Sequence, residues 1–260
     1  MFRSLHIAAT GMAAQETKLD AVANNVANAS TTGYKKQDVE FEDLMYQTVR
    51  APGPVGGGAI APTGVQVGTG TRIVATSRAF SQGALQQTGN QLDLAIEGPG
   101  FLAVTRANGD LAYTRAGSLK LDAQGKLVTS EGLPLEPPIT IPADATSITI
   151  GPDGVVSVLQ PGSTTPNQVG TLQLTTFQNP AGLSSLGHNL YGATAAAGDP
   201  QAGPPGQHGR GSIMQGSLEG SNVEVVEEMI ALIRTQRAYE INSKVIAAAD
   251  EMLRNATTMR

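Results

Sequence analysis

The fold is decided near the C-terminal end by residues 221–254, which read SNVEVVEEMIALIRTQRAYEINSKVIAAADEMLR. Large apolar side chains recur there every seven residues, a spacing that places them in one stripe along an α-helix. The stripe consists of Val225, Leu232, Tyr239, Ile246 and Leu253. Ser221 and Glu224 have the spacing of a capping box, in which each side chain satisfies a free backbone N–H. The stretch therefore predicts a long helix that begins near Ser221.

A second helix of the same design is predicted near the N-terminal end, over residues 4–28. Its larger apolar side chains are also seven residues apart and are Leu5, Met12, Leu19 and Val26. Alanine fills many of the positions between them, so this apolar stripe is narrow. The polar residues that follow and Gly33, which can adopt a positive φ, are typical of a helix end.

The two terminal segments carry opposite charge. Residues 1–36 hold four basic and two acidic residues, a net +2, whereas residues 219–260 hold five basic and seven acidic residues, a net −2. Opposite signs favour packing the two ends together. Burying two narrow stripes within one chain offsets only part of the entropy lost when both segments become ordered. We therefore expect the terminal helices to be poorly ordered alone and to become ordered when neighbouring copies cover them.

The hydrophobic period changes to two between the predicted helices. Leucine and isoleucine alternate with other residues around positions 92–97, 119–121 and 139–141, and turn signals such as Asn108-Gly109 recur at short spacing. This pattern predicts antiparallel strands joined by tight turns and packed as a small barrel or sandwich. The expected strands lie near residues 101–106, 111–115, 126–130, 155–159 and 171–177.

Two stretches rich in glycine and proline, residues 50–70 and 198–211, bracket the β region. Such a composition cannot bury a core by itself. The predicted domains are a discontinuous, coiled-coil-like helical domain of residues 1–49 and 215–260, an extended arm of residues 50–72, and a β-rich outer domain of residues 73–214. The predicted fold class is α+β, with helices from both termini and a central antiparallel all-β domain.

The composition argues against several classes of protein. Cysteine is absent, which excludes disulfides, thiolate metal sites and cysteine nucleophiles. The net charge is −5, and the chain has no basic stripe of the kind that binds nucleic acid. No window approaches the roughly 18 consecutive apolar residues that a membrane span needs. The first residues lack the pattern of a cleaved secretory signal.

Candidate catalytic and ligand-binding residues are sparse. The histidines are His6, His188 and His208. No two of them are at metal-ligand spacing, and the glycine-rich runs at 56–58 and 68–71 do not match a phosphate-binding loop. Asp93 and Glu97 share one face of an alternating strand, which leaves a hydrolase with paired carboxylates as an alternative. We expect no catalytic site, metal or cofactor, and neither a small-molecule substrate nor nucleic acid as a partner.

Several motifs resemble those of a known family. Residues 23–28 (ANNVAN) and 31–35 (TTGYK) closely resemble the N-terminal motif shared by bacterial flagellar rod and hook proteins. Residues 91–101 (QLDLAIEGPGF) resemble the entry to the β domain of these proteins. Residues 221–230 and 234–244 (RTQRAYEINSK) resemble the C-terminal motif of the distal rod. The resemblance runs essentially from end to end.

The resemblance implies a structural subunit of the bacterial flagellar basal body. Such a subunit assembles into the distal rod, the drive shaft that crosses the periplasm and passes motor torque to the hook. A proximal rod or hook subunit of the same family is the alternative. The implied partners are further copies of the chain in a helical polymer, proximal rod proteins, the hook protein, and the surrounding L and P ring proteins. The implied route is the flagellar export apparatus, without a cleaved signal peptide.

The stripes and the resemblance together lead to a hypothesis for assembly through a head-to-tail contact that does not close into a ring. The stripe residues of both helices are expected to form the buried inner layer of a tube. Asn24, Asn25 and Asn28 are expected to hydrogen-bond adjacent subunits. The stretch after Arg50 resembles the segment that distinguishes the distal rod from the hook. It is expected to bridge neighbours and stiffen the tube through Pro52, Pro54, Gly56, Gly57 and Gly58.

Overall fold

The structure is a computed structural model, and it describes residues 2–55, 59–162 and 165–258. It has two long helices, α1 (Phe2–Ala27) and α2 (Val225–Thr258). Among the described residues, no helix is long and apolar enough to cross a membrane.

The described chain divides into two compact units. The helical unit is formed by the described parts of Met1–Val26, Gln37–Ser77 and Glu224–Arg260, and the β unit by Ala27–Lys36 and Arg78–Val223. Each unit is therefore assembled from segments that are far apart in the chain. The glycine- and proline-rich segment after Arg50 belongs to the helical unit together with both helices.

Helix α2 begins four residues later than the sequence predicts. Its first turn is closed by Glu228 N, which donates to Glu224 O at 3.0 Å. The Ser221 hydroxyl accepts a hydrogen bond from Val223 N at 3.2 Å, in a local turn before the helix. The predicted capping box at Ser221 is therefore wrong, because that hydroxyl is already used by the preceding turn. Acidic residues do occupy the first turn of α2, where they complement the helix dipole.

The described residues between positions 37 and 78 form a two-stranded antiparallel ribbon. Its strands are β1 (Gln37–Asp43), β2 (Gln47–Arg50), β3 (Gly53–Val55), β4 (Ala59–Ala61), β5 (Val65–Val67) and β6 (Thr71–Arg78). The pairs are nested, β1 with β6, β2 with β5 and β3 with β4. Between the pairs β1–β6 and β2–β5, Leu44 N donates to Gly70 O, so hydrogen bonding between the two sides of the ribbon continues from one pair to the next. The described residues of the predicted arm lie in the outer part of this ribbon.

The β unit contains the remaining strands. They are β7 (Leu85–Gln87), β8 (Leu94–Glu97), β9 (Phe101–Thr105), β10 (Leu111–Thr114), β11 (Leu119–Leu121), β12 (Leu127–Thr129), β13 (Leu135–Glu136), β14 (Ser147–Ile150), β15 (Val155–Leu159), β16 (Asn167–Thr171), β17 (Leu174–Thr176), β18 (Ser184–Gly187), β19 (Leu190–Gly192), β20 (Gln201–Gly203), β21 (Ser212–Gln215) and β22 (Ser217–Glu219).

A seven-stranded antiparallel sheet organises the β unit. Its order is β18-β19-β10-β9-β17-β20, and β13 pairs with β9 off this path. A three-stranded sheet has the order β14-β15-β16, and β8 pairs with β21, β7 with β22 and β11 with β12. The large sheet ends at the edge strands β18 and β20, so the described strands do not close into the barrel that was one of the two expected arrangements.

The apolar core of the molecule lies in the β unit. Its largest cluster is aliphatic and consists of Leu94, Ile96, Leu102, Leu119, Leu127, Leu135, Ile139, Ile141, Ile150, Val156, Val158, Leu172, Leu174 and Ile213. A second cluster is aromatic, with Phe101 in edge-to-face contact with Phe80, Phe177 and Tyr191. Such contacts stabilise beyond the area that they bury. The β unit therefore holds the side chains that fold it.

The α+β fold class is confirmed. Both predicted helices are present, and the strand expected at 155–159 is β15 with the same bounds. The strand expected at 171–177 is shorter, because β16 ends at Thr171 and β17 begins only at Leu174.

Gly33 makes a tight turn in the β unit. Its φ is +70°, and a Cβ atom at this position would lie 2.7 Å from Ala116 N. Gly33 N also donates to Glu219 O at 2.8 Å, so the turn cannot move away without losing a hydrogen bond. Gly109 has a similar φ of +86°, but a Cβ there would meet nothing within 4 Å. The two positions share the backbone conformation and differ in the space around it.

We expect Gly33→Ala to lower the free energy of unfolding by about 2 to 5 kcal/mol, since it combines a left-handed backbone with a backbone clash. The matched variant Gly109→Ala should lose only about 1 to 2 kcal/mol from the backbone conformation. Urea unfolding of both purified variants measures the difference. Equal losses would show that the contact with Ala116 contributes nothing.

Candidate assembly surface

Helices α1 and α2 pack side by side in antiparallel directions. Two contacts fix their register: a Cβ on Gly11 would lie 3.0 Å from Asn242 Nδ2, and Asn25 Nδ2 donates to Glu228 Oε2 at 3.1 Å. The two residue numbers have the same sum in both pairs, as expected for antiparallel helices with equal rise per residue. Gly11 leaves room for the Asn242 side chain between the two helices.

Small and polar side chains form the seam between the helices. On α2, Glu228 and Asn242 contact α1, and the buried residues Thr235 and Ala249 lie in the same row at seven-residue spacing. The buried residues of α1 are Ala8, Ala14, Ala21, Val22 and Asn25. The helices therefore contact each other through side chains that supply little apolar area, and this contact alone stabilises them weakly.

Large apolar side chains of the helices remain exposed. On α2 they are Val225, Val226, Met229, Ile230, Ile233, Tyr239, Ile241, Val245 and Met252, and on α1 they are Phe2 and Ile7. So many exposed large apolar side chains are typical of a site that binds another protein. We call the exposed apolar residues of α1 and α2 the outer helix surface.

The predicted stripe residues divide into two groups. Val225 and Tyr239 belong to the outer helix surface, each 44% exposed. The half-buried members are Leu5, Met12, Leu19, Val26, Leu232, Ile246 and Leu253. The stripes thus flank the small-residue seam and are not fully covered within the chain. Their burial between subunits stays a prediction.

Asn25 has a role inside the helical unit. Its amide oxygen accepts from Gln37 N at 2.9 Å and its amide nitrogen donates to Gln37 O at 2.8 Å, as a neighbouring strand would. The residue is 1% exposed. Asn28 Oδ1 accepts a hydrogen bond from Thr31 Oγ1 at 3.1 Å in the turn after α1, and Asn24 is exposed. Contacts of these amides with other subunits stay a prediction.

The ribbon lies along α1 toward the N-terminal end of the helix. Asn25 binds Gln37, and Arg3 Nη2 donates to Gln47 Oε1 at 2.6 Å. The 22 residues of helix and ten residues of strand between these contacts both span about 33 Å, so strand and helix remain side by side. Between these two contacts, a Cβ on Gly70 would clash with Thr10 Oγ1, which shows that the ribbon approaches the helix closely there.

The outer part of the ribbon is exposed. All four residues of β2 are exposed, and Met45 just before it is 89% exposed. Of the predicted arm residues, Pro52 is exposed and Pro54 lies on β3. Gly56, Gly57 and Gly58 lie outside the described residues. This part of the ribbon presents apolar side chains, including Tyr46 and Val49, that the chain itself does not cover.

A buried ionic cluster in the β unit was not indicated by any sequence pattern. It consists of Lys35, Arg115 and Glu219, whose side chains are at most 3% exposed. Lys35 Nζ lies 2.7 Å from Glu219 Oε1, and Arg115 Nε lies 3.0 Å from Glu219 Oε2. The second contact is an ion pair whose geometry is not that of a hydrogen bond. The partners are too far apart in the chain for any local motif to join them.

Burial perturbs the titration of both cations in this cluster. The loss of hydration lowers the pKa of Lys35 from 10.5, against the hydrogen bond to Glu219, which raises it, and Arg115 adds to the lowering. Burial likewise lowers the pKa of Arg115, which the charge of Glu219 opposes. The two cations share a single carboxylate.

The other chemical candidates have structural partners. The Asp93 carboxylate accepts from Thr88 Oγ1 at 2.6 Å and Asn90 Nδ2 at 3.0 Å, within the loop that precedes β8. His188 Nδ1 lies 2.5 Å from Glu131 Oε1 on the exposed surface. Within the described part of the chain, no group of three or more histidine or acidic residues could hold a metal ion.

Comparisons with known proteins point in one direction. Residues 5–35 match the family described as "Flagella basal body rod protein", residues 95–158 the "Flagellar hook protein FlgE/F/G D1 domain", and residues 214–259 the "Flagellar basal body rod FlgEFG protein C-terminal". Relatives match over the whole length. The flagellar basal-body rod protein FlgG of Borreliella burgdorferi is 48% identical over 263 residues, covering 100% of this chain and 99% of the relative.

The matches to two further FlgG proteins extend over 100% of this chain and 100% of each relative. The protein of Buchnera aphidicola subsp. Schizaphis graminum is 47% identical over 260 residues, and that of Bacillus subtilis is 39% identical over 266 residues.

We expect the free energy of unfolding to rise with pH, relative to a Lys35→Met variant, as pH increases toward 10.5. A lysine whose pKa is lowered in the folded state releases its proton at a lower pH there than in the unfolded state. Above the folded pKa the unfolded state binds more protons, so stability increases with pH in this window. Urea unfolding at several alkaline pH values measures the effect. Lys120→Met removes an exposed lysine and keeps Lys35, so its stability should still rise with pH. If Lys35→Met and Lys120→Met showed the same pH dependence, the prediction would be contradicted.

Proposed function

Because the chain belongs to the FlgG family of flagellar basal-body rod proteins, we propose that it polymerises into the rod through the outer helix surface. It is a structural component of the basal body, as a subunit of the distal rod. The observation that carries the proposal is the difference in composition between the seam and the outer helix surface. Their seam uses small and polar side chains, whereas valine, isoleucine, methionine and tyrosine face outward.

Further copies of the chain bury the outer helix surface. Every copy has the same exposed surface, so a contact between two different patches of successive copies can be repeated indefinitely. A head-to-tail contact that does not close into a ring gives a helical filament. The stripe residues of α1 and α2 then form the inner layer of a tube, and helix order in each subunit increases as neighbours add.

The outer part of the ribbon acts as a second contact between subunits. Its ladder is formed within the chain, so it is a preformed element rather than an unstructured arm. Met45, Tyr46 and Val49 provide apolar contacts to a neighbouring copy, and Pro52 restricts the backbone. A stiff strand pair that bridges subunits limits bending of the tube, as a drive shaft requires.

Other partners follow from the position of a rod. Proximal rod proteins, the hook protein and the L and P ring proteins are its proposed neighbours, and the flagellar export apparatus is its proposed route. The proposed role needs no catalysis. The Asp93 carboxylate is engaged by its own loop and is thus an unsuitable member of a catalytic pair with Glu97.

We expect Tyr239→Glu to raise the concentration needed for polymerisation by about 100-fold, because a carboxylate would be desolvated in the subunit contact. Far-UV circular dichroism of the monomer should match that of the unmodified chain, since Tyr239 is already exposed. Tyr239→Phe is the matched control, because it keeps the aromatic ring at the same position and adds no charge. Sedimentation and electron microscopy measure the polymer. Unchanged polymerisation by Tyr239→Glu would remove this part of the helix from the interface.

We expect polymers that lack the outer ribbon to bend more easily. Replacing residues 45–69 by Asn-Gly removes Met45, Tyr46 and Val49, keeps the hydrogen-bonded pair Leu44 and Gly70, and closes the ribbon with a tight turn. The bending persistence length, measured from electron micrographs, should fall at least about twofold, because subunits lose a lateral bridge. A Gly/Ser replacement of equal length separates the loss of the strand pair from the loss of length. An unchanged persistence length would leave the outer ribbon without its assigned role.

A further inference from the structure

Three segments of the β unit lie where the chain continues into the helical unit, and they are residues 33–36, 78–83 and 219–222. Their backbones are hydrogen-bonded to one another. Gly33 N donates to Glu219 O at 2.8 Å, and Ala79 N donates to Lys36 O at 2.9 Å. The stretches that lead to the two ends of the ribbon and to α2 are thus joined within the β unit.

The side chain of Asn222 joins the same segments as a backbone group would. Its amide oxygen accepts from Lys36 N at 2.7 Å. Its amide nitrogen donates to Ala79 O at 2.8 Å and lies 3.3 Å from Ser81 O. One side chain therefore satisfies backbone groups of two other segments.

Glu219 connects the segments through its charge. Its Oε1 atom accepts from Lys35 Nζ at 2.7 Å and from Gly83 N at 2.9 Å. Lys35 Nζ also donates to Ser81 O at 2.6 Å, and Arg115 Nη2 donates to Gly98 O at 2.5 Å. Because these groups are buried, water screens their interactions little.

We propose that Lys35, Arg115, Glu219 and Asn222 form a junction clamp, which holds the three segments together and depends above all on Glu219. The clamp contains two cations and one anion. Removing Glu219 leaves two buried cations without a counter-ion, whereas removing Lys35 leaves Arg115 and Glu219 as a balanced pair. Breaking a buried pair by removing one partner is far more damaging than removing both charges. The junction clamp is a property of the single chain and goes beyond the proposed polymerisation.

Trypsin cleavage after Lys36 tests the junction clamp in the full-length monomer. Lys35 is buried and Lys36 half-buried, so cleavage requires local opening of this segment. When opening and closing are fast, the cleavage rate follows the population of the open state. We expect Glu219→Gln to accelerate this cleavage at least about tenfold, and Lys35→Met to accelerate it clearly less. Mass spectrometry of the fragments gives the rate at each bond.

Two further variants make the test specific. Glu219→Asp keeps the charge and should lie between the unmodified chain and Glu219→Gln, and it serves as the test if Glu219→Gln does not fold. Glu131→Gln removes an exposed carboxylate and should leave the rate unchanged. The proposal is overturned if Glu219→Gln or Glu219→Asp cleaves like the unmodified chain. It is also overturned if Lys35→Met opens the segment as much, or if cleavage after Lys120 and Lys126 accelerates equally, since that result indicates general unfolding of the β unit.

Discussion

The packing of α1 against α2 through small and polar residues is the constraint on which the assembly surface depends. Gly11 and the alanines of α1 occupy positions that large apolar side chains could otherwise fill, and a helix has only a limited circumference. Side chains of the seam are therefore small, and the large apolar residues are displaced to the sides. In a chain that folds alone, this would be a poor arrangement, because apolar area on the outside stabilises nothing. In the polymer that we propose, the same residues would be buried between subunits, and helix stability would increase as the rod grows.

The two units solve the problem of stability differently. The β unit buries a large aliphatic cluster and a set of edge-to-face aromatic rings, and so it supplies its own core. The helical unit buries mainly alanines and a few polar groups. This contrast is consistent with a subunit that keeps its β unit folded while the helices find part of their packing in neighbouring copies. The ribbon likewise has exposed apolar side chains that neighbouring copies can contact.

Buried charge has a different purpose from buried apolar surface. Apolar residues of equal volume would often stabilise the fold as much as Lys35, Arg115 and Glu219 do, but they would be less specific for which segments pack together. An ion pair with several hydrogen bonds is satisfied in a narrow set of geometries. The cluster lies where three segments pass from one unit to the other along the chain, so its directionality fixes the path of the backbone at those points.

Local patterns in the sequence were sufficient for the helices, for the antiparallel β region and for strand β15, because periodicity and turn residues act over a few positions. They also identified the family through its motifs. Alternation failed at the start of β8, where Leu94, Ala95 and the preceding Asp93 are all buried, because tertiary contacts cover both faces. The ribbon formed by the glycine- and proline-rich segment, the seam of small residues and the pairing of Lys35 with Glu219 were decided only by the tertiary structure. Each of them depends on contacts between residues far apart in the chain, and no local spacing records which distant partner a side chain will meet.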